Sequence, residues 1–178
     1  MTVKNIKVAG VFISFLSFAL ALLFYDAFPC FLTSIFFPVS QSLFESLKVI
    51  ISGTLISLLI QYFILEKNTI NVKNLSLSIF TTVFIDICLS IIFYLPITLE
   101  FGINLIFTLA FLIIISIFNQ FISYYFIFIK NFGWLNYLAL IGIIIIYIIL
   151  GLLTYYPFLN DIFFDKNAHK FGINTYLI

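Results

Sequence analysis

"LNYLALIGIIIIYIILGLLTY", residues 135–155, runs for twenty-one residues without a charged side chain. At 1.5 Å per residue a helix of that length covers about 30 Å, the thickness of a bilayer's hydrocarbon core. A segment so evenly apolar has no polar face to turn toward water and reads as a membrane-crossing helix. Working outward, four more stretches meet the same test: 103–129, 75–95, 43–65 and 8–24. The sequence therefore predicts an all-α integral membrane protein, a bundle of five transmembrane helices.

Composition agrees. Of 178 residues, 64% are hydrophobic and 8% charged, with a mean hydropathy of +1.27. A soluble domain carries about 25% charged residues, so the outer solvent here must be lipid. The partners expected are therefore membrane lipids and a small-molecule or lipid ligand, and a homo- or hetero-oligomer is compatible with the composition. A net charge of +1 offers no basic stripe to displace counterions from phosphates, which excludes nucleic acid. Every basic residue is Lys and none is Arg, a usage that points to an AT-rich bacterial genome. Cys30 and Cys88 have no ligand-spaced His or Cys beside them, so they read as small apolar residues; no metal and no cofactor is expected.

The connections hold the turn formers and charges, among them "EKNTINVKN", "PITLEFG" and "KNFG". The first, Tyr25 to Gln41, is interrupted by Pro29 and Pro38 and too short to cross, so it lies in the interface or dips in and returns. Lysines assign the sides. Lys4 and Lys7 precede the first span, Lys67 and Lys73 follow the second and Lys130 follows the fourth, against Lys166 and Lys170 in the tail. Lys48, just inside the second span, weakens the vote slightly. The majority places the N-terminus inside and the C-terminus outside a multi-pass protein of the cell membrane. Residues 1–156 form the bundle, and 157–178 form an outer-face tail packed on the membrane surface or over the first loop. A cleavable signal peptide ending at "ALA", Ala19 to Ala21, is the alternative for the first span; the apolar run continuing through Leu22, Leu23 and Phe24 argues against it.

The second span opens on "PVSQSLFESLK", Pro38 to Lys48. Ser42 and Glu45 have capping-box spacing: the hydroxyl accepts from the amide of Glu45, and the carboxylate reaches back to the amide of Ser42. Lys48, three residues on, pairs with Glu45 on the same face. The segment resembles the Pro-Val-Asn-Glu-Ser-Ile-Trp-Glu-His-Leu-Lys signature of a family of small bacterial multi-pass membrane proteins catalogued as a domain of unknown function. The matching residues are Pro38, Val39, Ser42, Glu45, Leu47 and Lys48. The tail resembles that family's ending through Pro157, Phe164, Asp165, Phe171 and Gly172. Ser40, Gln41, Phe44 and Ser46 depart from the signature, so this chain lacks the His that an acid/base or metal site built on the family pattern would use.

Polar side chains gather at two levels. Near the midplane, Asp86 shares its depth with Asn119, Gln120, Thr54 and Ser57, and with Ser14 and Ser17 of the first span. A carboxylate there costs about 2.5–3.5 kcal/mol on insertion scales, so Asp86 must face the interior and either pair or stay protonated. The expected outer face collects Asp26, Glu45, Lys48, Glu100, Asp161, Asp165, Lys166, His169 and Lys170. A folded-back tail would bring Asp165 and His169 to Glu45 and Lys48, a candidate outer-face pocket. No Gly-x-Ser-x-Gly, His-Glu-x-x-His or Walker loop is present. The functional expectation is thus binding or transport of a small solute or lipid through that pocket. The alternative is an intramembrane or lipid-surface enzyme using Glu45 and Lys48 with Asp165 or His169. A non-catalytic scaffold is the third reading.

Overall fold

The computed structural model describes residues 3–173 and 175–176. Among these residues, five helices long and apolar enough to span a membrane run up and down: α1 Val3–Ala27, α3 Leu43–Lys67, a third crossing Leu75–Phe101, α6 Leu105–Phe128 and α7 Gly133–Tyr155. The third crossing is α4 Leu75–Leu89, a π-helical turn Ser90–Tyr94 and α5 Leu95–Phe101. A short helix, α2 Phe31–Phe36, lies between α1 and α3. The chain closes in three two-residue strands, β1 Phe164–Asp165, β2 Lys170–Phe171 and β3 Thr175–Tyr176, paired antiparallel in that order.

Two expectations need correction. "PITLEFG" was expected as a loop, but residues 95–101 continue the third helix. Pro96 lacks an N–H and its ring would strike the carbonyl four residues back in an α-helix. The wider π turn before it, in which the Leu95 amide bonds to the Ser90 carbonyl, makes room and lets the helix run on. Lys7 was assigned to the segment before the first span; α1 begins at Val3, and Lys7 is buried within it.

Position in the bundle follows from side-chain size more than hydrophobicity, because lipid is as apolar as a protein interior. α3 is the central helix: 56% of its most apolar window is buried, against a third or less for the others. It packs on α1, α4 and α6, while α7 packs on α4 and α2. Gly53 permits the tight α1–α3 contact, since a Cβ there would lie 2.2 Å from a ring carbon of Phe18. Large apolar side chains such as Phe12, Ile106 and Phe121 point outward. At one end, Phe44, Phe163 and Phe171 join Ile51, Ile79 and Tyr147 in a common core, which ties the tail to α3, α4 and α7.

Candidate functional site

Ser42 starts α3 as its N-cap, its hydroxyl accepting from the Glu45 amide at 3.3 Å. The reciprocal half of the box is replaced: Glu45 turns inward, away from the Ser42 amide. Its Oε2 accepts from the Val39 amide at 3.1 Å and pairs with Lys48 Nζ at 3.1 Å, and its Oε1 accepts from Thr154 Oγ1 of α7 at 3.0 Å. Lys48 Nζ also donates to the Ser34 carbonyl at 2.8 Å and to Thr154 Oγ1. An ammonium has three N–H groups, and all three are engaged by the protein itself. Glu45 and Lys48 are 1% and 0% exposed, so the pair lies inside the fold.

α2 explains why a lysine belongs there. The last carbonyls of a helix have no intrahelical donor and carry the negative end of its dipole. Those of Ser34 and Phe36 accept from Lys48 Nζ and Ser52 Oγ, which reach across from α3. Ser52 lies nine residues into α3, about 13 Å from its start, so α2 dips beside that helix and returns. Tyr147 adds a hydroxyl contact to Ser52 at 3.2 Å, and Tyr155 meets Ser34 at 2.8 Å. Beside this knot α2, α3 and α7 enclose a lateral groove of about 730 Å³ on the lipid-facing side, walled by Phe31, Ile35, Tyr147 and Gly151.

The tail covers the same end. The Ile162 carbonyl accepts from the Phe44 amide at 2.9 Å, and Phe163 stacks on Phe44 with ring centroids 4.6 Å apart. Asp165 Oδ2 accepts from the Gln41 amide at 2.7 Å, and Oδ1 accepts from the amides of Asn167 and Ala168. Burial pushes the Asp165 carboxyl up, but these N–H groups and nearby Lys170 outweigh it, so its pKa sits below the ordinary 3.8. The tail therefore joins the start of α3 as a hairpin. The four-residue spacing of Asp165 and His169 does not stack them on a helix face. His169 occupies a left-handed turn position, is exposed and lies against the Phe164 ring. Among the described residues it makes no hydrogen bond with Glu45, Lys48 or Asp165. Between hairpin, α3 and the end of α5 lies a recess of about 350 Å³ whose polar wall is Gln41, Asp161, Lys166 and Asn167, with Thr98 and Phe164 alongside.

The buried polar side chains inside the bundle form two separate hydrogen-bonded groups. Asp86 Oδ2 accepts from Thr54 Oγ1 at 2.6 Å and Asn119 Nδ2 at 3.0 Å, linking α4, α3 and α6. Gln120, one residue on, faces away toward α1, donating to Ser14 Oγ at 3.0 Å; Ser14 meets Ser57 at 2.7 Å. From Ser57 the chain continues through Gln61 to Lys7 Nζ, which also donates to Ser123 at 2.7 Å. Ser17 turns back onto the Ile13 carbonyl and joins neither group. Gly10 leaves the space: a Cβ there would lie 2.3 Å from Gln120 Oε1. Lys7, Gln61, Ser123, Ser90, Ser52, Thr154 and Ser34 were not singled out from sequence. Four buried polar atoms have no hydrogen-bond partner among the described residues: Asp86 Oδ1, Asn119 Oδ1, Ser90 Oγ and Gln120 Oε1. No group of three or more His, Cys, Asp or Glu side chains suited to a metal occurs among the described residues. No protein-family model, no curated protein sequence and no solved structure matches the chain.

Proposed function

We propose that the protein resides in the cell membrane with its N-terminus inside, and at its outer end binds, or passes across, a small zwitterion, free or as a lipid headgroup. The observation that carries this reading is the recess beside the tail hairpin. It presents an acid, Asp161, and an amine, Lys166, with the amides of Gln41 and Asn167, all exposed at the mouth of a 350 Å³ space. Opposite charges at one mouth suit a ligand carrying both signs, and Leu43, Leu99 and Phe164 supply an apolar wall for its uncharged part. Gln41 belongs to the segment that resembles the signature of the domain-of-unknown-function family, and kinship with that family is part of this reading. Glu45 and Lys48 do not line the recess; they anchor the start of α3, whose Leu43 does.

Native mass spectrometry of the full chain released from detergent tests it. Wild type is expected to retain a small molecule or lipid, and Asp161→Asn with Lys166→Gln to lower its occupancy roughly tenfold, the effect of about one charge-assisted hydrogen bond. Equal retention by both proteins overturns the proposal.

A further inference from the structure

We propose that the centre of the bundle holds a small alkali cation on Asp86, Asn119 and Ser90, in exchange with a proton on the Asp86 carboxyl. This site is separate from the recess and its test does not involve it. Asp86 lies eleven residues into α4, about 16 Å from the start of the crossing. It is 0% exposed, and its two donors, Thr54 and Asn119, both serve Oδ2. Oδ1 has none, and neither has the carbonyl oxygen of Asn119, the residue already bonded to that carboxyl. Ser90, four residues on, at the C-terminal cap of α4, is 0% exposed, and its Oγ has no partner.

Buried polar atoms are almost always satisfied, so an unpartnered carboxylate oxygen, with further unpartnered oxygens on the residue bonded to that carboxylate and on the residue one turn along, needs an account. A proton on Asp86 supplies a single donor. A cation satisfies several acceptors at once and neutralises the carboxylate, which removes the cost of burying it. The ligand set is carboxylate, amide carbonyl and hydroxyl, all hard oxygens, with no sulfur or imidazole. Ser90 also opens the π-helical turn, and π turns inside α-helices recur at functional sites. The exchange balances: the protonated carboxyl plus a cation becomes the carboxylate–cation pair plus a released proton. Among the described residues the other buried titratable groups are engaged elsewhere: Lys7 with Gln61 and Ser123, Glu45 with Lys48, Tyr147 with Ser52, Tyr94 with Thr108, and Asp165 with amides of the tail and Gln41.

The test is thermal unfolding of the full chain in detergent, with sodium chloride against choline chloride at equal ionic strength. At about pH 8 sodium is expected to raise the midpoint by roughly 3–5 °C. The half-saturating sodium concentration is expected to rise up to tenfold for each unit of pH lowered, because proton and cation share one site. Asp86→Asn, which keeps the shape, abolishes the sodium response, and Ser90→Ala weakens sodium binding roughly tenfold. Radioactive sodium binding to wild type, displaced by acid, gives the same answer if the Asp86 variant fails to fold. Identical midpoints in sodium and choline, or a full response from Asp86→Asn, would leave Asp86 as a neutral link between helices and overturn the proposal.

Discussion

Replacing Lys48 by Met tests the packing at the start of α3. Lys48 is 0% exposed and Glu45 1%. Removing the ammonium leaves Glu45 with the Val39 amide and the Thr154 hydroxyl, and strips the Ser34 carbonyl of its donor from α3. Breaking one side of a buried ion pair costs about 3–5 kcal/mol, because the remaining charge has no counterpart. For a chain of this size each kcal/mol shifts the unfolding midpoint by about 2–4 °C, so Lys48→Met should lower it by roughly 6–20 °C. Removing both charges, as Glu45→Gln with Lys48→Met, should recover at least half of the loss, since a neutral pair of similar volume leaves no stranded charge. The assay is the fraction of protein eluting as its native peak after heating in detergent, with all variants heated at one rate so that a rate-dependent midpoint does not enter the comparison. A Lys48→Met midpoint within about 2 °C of wild type would show that water reaches the pair and refute the reasoning.

Other expectations concern separate parts of the molecule. Asp165→Asn should loosen the hairpin and speed protease cleavage between residues 160 and 170. The wild-type advantage should be full above about pH 4 and disappear as acid protonates a carboxyl whose folded pKa lies below 3.8, so wild type and variant converge in strong acid. Gly53→Ala should lower stability by about 1–3 kcal/mol, measured by the same heating assay, because its new methyl would meet the buried Phe18 ring. Cys30 is exposed, and the Thr33 side chain and backbone hydrogen bonds hold its thiol below the ordinary 9.0, whereas Cys88 is half-buried. A membrane-impermeant maleimide should therefore modify Cys30 first, with Thr33→Val slowing it, and the accessible side in intact cells reports which end of the bundle faces out.

The five crossings are legible because an unbroken apolar run of about 20 residues has one stable fate in a bilayer. Ser42 is legible as a cap because its partner is three residues away. The rotation of each helix was harder to read, since apolar residues suit both lipid and interior. The usable signal is the inverse one: Lys7, Gly10, Ser14, Ser17 and Ala21 recur every three or four residues, and all are buried on α1. On α3, Glu45, Lys48 and Ser52, then Thr54, Ser57 and Gln61, repeat the pattern. The partners of these residues stayed hidden because they are remote in sequence. Lys48 meets Ser34 and Thr154, and Lys7 meets Ser123. Pro96 misled for a local reason: a proline normally ends a helix, unless a π turn widens the backbone first.

The knot of Ser34, Lys48, Glu45 and Thr154 also fixes an order of biogenesis. The helix carrying both charges emerges from the ribosome more than a hundred residues before the threonine that joins them. Until α7 arrives, the early segments hold an ion pair without the two contacts to Thr154, and α2 lacks the helix it packs on. Such a chain completes these contacts only once residue 154 has been made and inserted. A truncation that stops short of residue 154 thus leaves the buried pair without that hydroxyl, even though each of its crossings is apolar enough to insert.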